Sequence, residues 1–142
     1  MTEEVTSEVV EYNETPQESG YRSISTFGNT VEESKEAFNA INGAEYLHDG
    51  MMDTPIEVAH VILERGERRS RESGMSVECI NSYIVTPDGK SYFTQSSGIA
   101  RGLAAIHRLV PDFRDGEGNP IKIAIKNRKL NNGNVLKVVE WL

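Results

Sequence analysis

Cysteine is almost missing from this chain. Cys79 stands alone, which rules out an internal disulfide and cannot assemble a zinc site by itself. Long apolar runs are missing too: no window approaches the roughly 18 residues of a membrane span. The Met1-Thr-Glu-Glu start has neither the basic nor the apolar region of a secretory signal. A cytoplasmic protein without membrane contact is the expectation. His48, His60 and His107 are scattered without ligand spacing, so no metal is expected. No Ser-His-Asp or Cys-His arrangement emerges from local sequence. The Asp88-Gly-Lys90-Ser91 string matches the end of a phosphate loop, but the loop's leading glycine is absent and the string falls in a tight turn rather than before a helix. The expectation is therefore not an enzyme, with no cofactor. Internal repeats and low-complexity arrays are absent as well.

Lysine and arginine are missing from residues 1–20, which hold Glu3, Glu4, Glu8, Glu11, Glu14 and Glu18. Taking these six from the 22 acids of the whole chain leaves 16 against 15 bases, so the net charge of −7 resides mostly in that leader. With Pro16, Gly20 and no sustained period, residues 1–20 read as a flexible acidic tail that buries too little apolar surface to offset its ordering entropy. The C-terminal section is the opposite: Lys122, Lys126, Arg128, Lys129 and Lys137 face Glu140 alone. A length of 142 residues, with 37% apolar and 26% charged, suits one soluble domain over 21–142.

The elements follow from turn chemistry and periodicity. Tyr21 to Phe27 alternates as a short strand ended by Gly28-Asn29. Thr30 and Glu33 form a capping-box pattern ahead of a helix whose Val31, Ser34, Phe38 and Ile41 share one side, ending near Asn42-Gly43. Gly43 to Pro55 is a loop with a turn around Ala44 to Leu47. Ile56 to Leu63 is a strand with Ala59, Val61 and Leu63 on one face and Ile56, Val58, His60 and Ile62 on the other. The Arg- and Glu-rich segment Glu64 to Gly74 reads as a solvated loop, within which Arg65 to Arg71 has an open alternative as a phosphate contact. Met75 to Thr94 is a β-hairpin around Pro87-Asp88-Gly89, in which Pro pre-sets one dihedral and Gly takes the positive-φ position. Ser96 or Ser97 caps a helix with Ile99, Leu103, Ile106 and Val110 on one face. Pro111 to Pro120 breaks the chain. A strand over Ile121 to Lys126, a two-residue turn at Asn132-Gly133 and a strand over Asn134 to Leu142 complete it.

Three strands, a helix and a closing hairpin are the connectivity of a five-stranded OB-fold barrel, here preceded by an additional strand and helix: a mainly β fold with helices. Such barrels commonly hold oligonucleotides. Binding single strands requires cations along the phosphates and rings for base stacking. Tyr83, Tyr92 and Trp141 are the stacking candidates; Lys90, Lys122, Lys126, Arg128 and Lys137 are the phosphate candidates. Period-2 alternation puts Lys90 with Tyr92, and Lys137 with Trp141. Phe93 reads as core.

Three stretches carry a family resemblance: Thr26-Phe27-Gly-Asn-Thr followed by Val31-Glu-Glu-Ser-Lys-Glu-Ala-Phe38-Asn39-Ala40; Thr86-Pro-Asp88-Gly89-Lys-Ser-Tyr92-Phe-Thr-Gln-Ser96; and Lys-Leu-Asn-Asn-Gly133-Asn-Val-Leu-Lys-Val. In order and spacing, over about Arg22 to Leu142, the chain resembles the small single-stranded-DNA-binding proteins of phages of Gram-positive bacteria. The resemblance implies an OB-fold that coats displaced strands in phage DNA replication or recombination, in the host cytoplasm. It brings replication proteins into view as partners of the acidic tail, and leaves self-association open. The family pattern lacks so long an acidic N-terminus. A rival reading is an acidic interaction module that mimics DNA, built on Glu32, Glu33, Glu36, Glu45, Asp49 and Asp53, and inhibiting a host nucleic-acid enzyme.

Overall fold

The computed structural model describes residues 23–70 and 72–142, so the acidic tail expected over 1–20 lies outside the described residues. In chain order the elements are Ile24–Ser25 (β1), Val31–Asn42 (α1), Glu45–Tyr46 (β2), a 3-10 turn at Asp49–Met51, Ile56–Val58 (β3), His60–Arg69 (β4), Ser76–Val85 (β5), Ser91–Thr94 (β6), Ser97–Leu109 (α2), Ile121–Lys129 (β7) and Val135–Trp141 (β8). One sheet has the order β1-β4-β5-β6-β2 and the other β3-β7-β8; β2 and β6 are parallel and the other pairs antiparallel. The chain is mainly β with two helices, and its two sheets do not close into a barrel.

The expected strand Ile56 to Leu63 is broken at Ala59. Its core-facing residues are Ile56, Val58, Val61 and Leu63, a parity that slips by one across Ala59-His60. Such a slip is what a bulge does to a strand. It lets β3 pair with β7 while β4 pairs with β5, passing the chain from one sheet to the other. Ile62, on the opposite face of β4, is buried outside the main core.

Two turn readings are refined. The segment Glu64 to Gly74 is not a loop throughout: β4 continues to Arg69 in register with Ser76, making a two-stranded arm. Backbone pairing carries the outer end of the arm, where Glu67, Arg68, Arg69, Ser76 and Glu78 are exposed. The β7–β8 connection is a three-residue loop, with Leu130 N–H bonding to Asn134 O and Gly133 N–H to Leu130 O. The Pro87-Asp88-Gly89 turn has the same pattern, with Gly89 at φ 87°.

Both helices begin where their caps predict. Thr30 Oγ1 accepts from Glu33 N–H and donates to Glu33 Oε1 at 2.9 Å, while Glu33 Oε2 accepts from Gly28 N–H. Ser96 Oγ accepts from Ile99 N–H. The stripe expected to line one side of α1 faces water, however: Val31 and Phe38 are 67% and 65% exposed. α1 instead docks through its small side, with Ala40 buried and its carbonyl accepting from Ser91 Oγ at 2.7 Å, because alanine lets the helix approach the sheet closely.

α2 packs between the two sheets and against β8. Its apolar face, Ile99, Leu103 and Ile106, is buried in the core between the sheets. Its glycines meet β8: a Cβ at Gly98 would overlap the Lys137 carbonyl oxygen, and one at Gly102 would lie 2.8 Å from Val139 Cβ. The helix therefore packs closely against β8, which has no strand neighbour other than β7 among the described residues. Phe113, fully buried at φ 55° within the expected breaker segment, completes the core.

Candidate nucleic-acid interface

Residues paired across a sheet point to the same face, so the register of four neighbouring strands sets Ile62, Tyr83, Phe93 and Tyr46 in one row. Three of them are aromatic. The Tyr83 and Phe93 rings lie 5.2 Å apart and tilted by 35°; Phe93 and Tyr46 meet edge to face at 5.3 Å. Exposure rises along the row. Tyr83 is 7% exposed, Phe93 is half-buried, and Tyr46 is 76% exposed. Burial, and then the Glu64 carboxylate, push the Tyr83 hydroxyl above its ordinary pKa, so it stays neutral. Phe93 is thus not a residue of the main core but the half-covered middle of an outward-facing row.

One step along the strands the same face turns polar. Asn81 lies across from Glu64, and Gln95 Nε2 donates to Asn81 Oδ1 at 2.9 Å. Farther out on the face are Gly66 opposite Cys79 and Arg68 opposite Val77. α1 covers the other end of this face through the Ser91–Ala40 bond. The exposed part of the sheet is therefore a short ramp of rings and amides with one carboxylate, Glu64, and one guanidinium, Arg68.

The expected site residues separate into three groups. Tyr83 belongs to the row. Lys90 and Tyr92 do come together, but in a cleft of about 460 Å³ with Met51, Pro55, Glu57 and Asp88. Tyr92 faces away from the row, because it alternates with Phe93. Lys122, Lys126 and Arg128 share the outward face of β7, while Lys137 and Trp141 share the opposite face of the same sheet. Lys126 already has two carboxylates, Asp53 at 3.5 Å and Glu140 at 3.3 Å, and these raise its pKa. Trp141 remains 42% exposed. Of the acidic surface in the rival reading, Glu33 is turned to its own helix cap, which lowers its pKa, and Asp53 pairs with Lys126.

Beside the row, His60 stacks on Phe27 with centroids 3.9 Å apart and planes within 13°. Its Nδ1 lies 2.9 Å from Thr26 Oγ1, and the same hydroxyl oxygen accepts from Val61 N–H. Burial holds His60 below its ordinary pKa of 6.5, the Arg114 guanidinium acts in the same direction, and Glu36 and Glu33 oppose it. Together with Glu36 and Asn39 of α1 the pair lines a second cleft of about 350 Å³.

Tyr46, Asn81 and Gln95 were missed by sequence reading, whereas Arg68 belongs to the Arg65 to Arg71 stretch already open as a phosphate contact. For Asn81 and Gln95 a signal existed: each stands two residues from an aromatic residue, hence on its face. For Tyr46 there was none, since only the parallel pairing of β2 with β6 brings it to the row. Among the described residues no cluster of three His, Cys, Asp or Glu side chains fits a metal ion, and no helix is long and apolar enough to cross a membrane. Comparison with family profiles, curated proteins and solved structures returns no match for this chain.

Proposed function

We propose that this chain binds single-stranded DNA with little sequence preference, laying the strand across the outer face of β5, β6 and β2. The observation that carries the reading is the Tyr83–Phe93–Tyr46 row, which steps from buried to exposed and leaves the Tyr46 ring free on one side of its contact with Phe93. Every base has a π-face, so stacking rings accept any sequence.

The strand order supports an OB-type reading. A bent strand shared between two sheets, a meander, a helix packed on β8 and a closing hairpin occur in that order. The resemblance to phage strand-coating proteins supports a role in phage DNA replication or recombination. The test is a fluorescence-anisotropy titration of labelled oligo-thymidine at low salt. Saturable binding by the wild type, weakened by Tyr46→Ala, is the expected result; no binding at micromolar protein rejects the proposal.

A further inference from the structure

Next to the ring row lie two amides whose orientation the backbone determines. Gln95 Nε2 is within hydrogen-bond distance of two acceptors, Asn81 Oδ1 at 2.9 Å and the Glu67 carbonyl at 3.3 Å. A main-chain carbonyl can only accept, so the atom facing it must be the Gln95 NH2 group. Both of its hydrogens are then in use, and the Asn81 atom beside it must be the oxygen. Cys79 Sγ, 3.8 Å from the same Oδ1, is a weak donor and agrees with this assignment. Gly66 makes the arrangement possible, because any Cβ there would overlap the Asn81 amide.

What remains is a fixed acceptor, Gln95 Oε1, and a fixed donor, Asn81 Nδ2, neither with a partner among the described residues. Their Cα atoms sit one row from those of Phe93 and Tyr83, about 7 Å along the strands, and the amides extend outward over Gly66. A base stacked beside the rings and directed along the strands spans that distance, with one hydrogen bond of about 2.9 Å at its edge. The pairing edge of each of the four bases carries a donor beside an acceptor, and in a duplex the opposite strand occupies it.

Resting on the proposed function, we propose that the Asn81–Gln95 pair is a specificity-determining element that takes the free pairing edge of an unpaired base. It senses that a base is unpaired rather than which base it is. That accounts for a hydrogen-bonding row on a face otherwise built for unspecific stacking.

The test compares oligo-thymidine with an oligonucleotide of equal length in which difluorotoluene replaces every thymine, a base of the same shape without a hydrogen-bonding edge. Wild-type protein should bind oligo-thymidine about tenfold more tightly than the isostere. Asn81→Ala and Gln95→Met, made separately, should each bind the two oligonucleotides equally, at the wild-type affinity for the isostere; that retained affinity also reports an intact fold. Equal binding of both oligonucleotides by the wild type overturns the inference and leaves the stacking function standing. Binding of neither removes the proposed function and this inference together.

Discussion

Tyr46 is the residue on which the functional reading is most directly tested, because its ring touches Phe93 but is otherwise mostly in water. Tyr46→Ala should leave the unfolding midpoint nearly unchanged and weaken oligo-thymidine binding by about 1–3 kcal/mol, the contribution of one stacked base. Parallel melting curves and titrations separate the two quantities. His60 makes a different prediction. Its folded pKa lies below 6.5, so on acidification the unfolded chain takes up the proton first. Its contribution to stability is whole above 6.5 and is lost as pH falls through the lower folded value. Urea midpoints should accordingly fall from about pH 8 to about pH 5, and His60→Gln should flatten the part of that decline below neutrality. A profile unchanged by the substitution would assign the loss to other groups.

Among the elements, α2 and its contact with β8 decide the architecture. Gly98→Ala raises helix propensity by about 1 kcal/mol, yet its Cβ would meet a main-chain oxygen, which cannot rotate aside as a side chain can. The net outcome should be destabilisation of at least about 2 kcal/mol in urea unfolding. Gly102→Ala should cost less, since its neighbour is the Val139 side chain at 2.8 Å. Gly116→Ala, with nothing within 4 Å, should be neutral or slightly stabilising and serves as the control. Strand order alone suggested a closed barrel because order gives connectivity, whereas which elements lie beside β8 is set by long-range packing such as that of Gly98 and Gly102.

At the scale of the whole molecule, charge and rings are not gathered on one wall. The ring-bearing face carries Arg68 and Glu64, which nearly cancel, whereas Lys122, Lys126 and Arg128 lie on the other sheet. Binding through the ring row should therefore show a shallow salt dependence, with log K against log salt near the slope of about −0.7 expected for one phosphate contact on a single strand. Arg68→Ala should reduce that slope, and Lys126→Ala, already held by Asp53 and Glu140, should leave it unchanged. A slope several times steeper would move the strand onto the lysine-bearing face of β7.

What the sequence by itself determined is local. Thr30 and Ser96 start the helices, Pro87-Asp88-Gly89 turns the hairpin, and the alternation of Ile121, Ile123 and Ile125 assigns a strand face, because each depends on neighbours within a few residues. Tertiary structure alone decided the slip at Ala59-His60, the water-facing side of α1, the helix beside β8 and the meeting of Tyr46 with Phe93. Each of these rests on contacts between residues far apart in the chain, whose relative placement is set by packing volume and sheet register rather than by any nearby side chain.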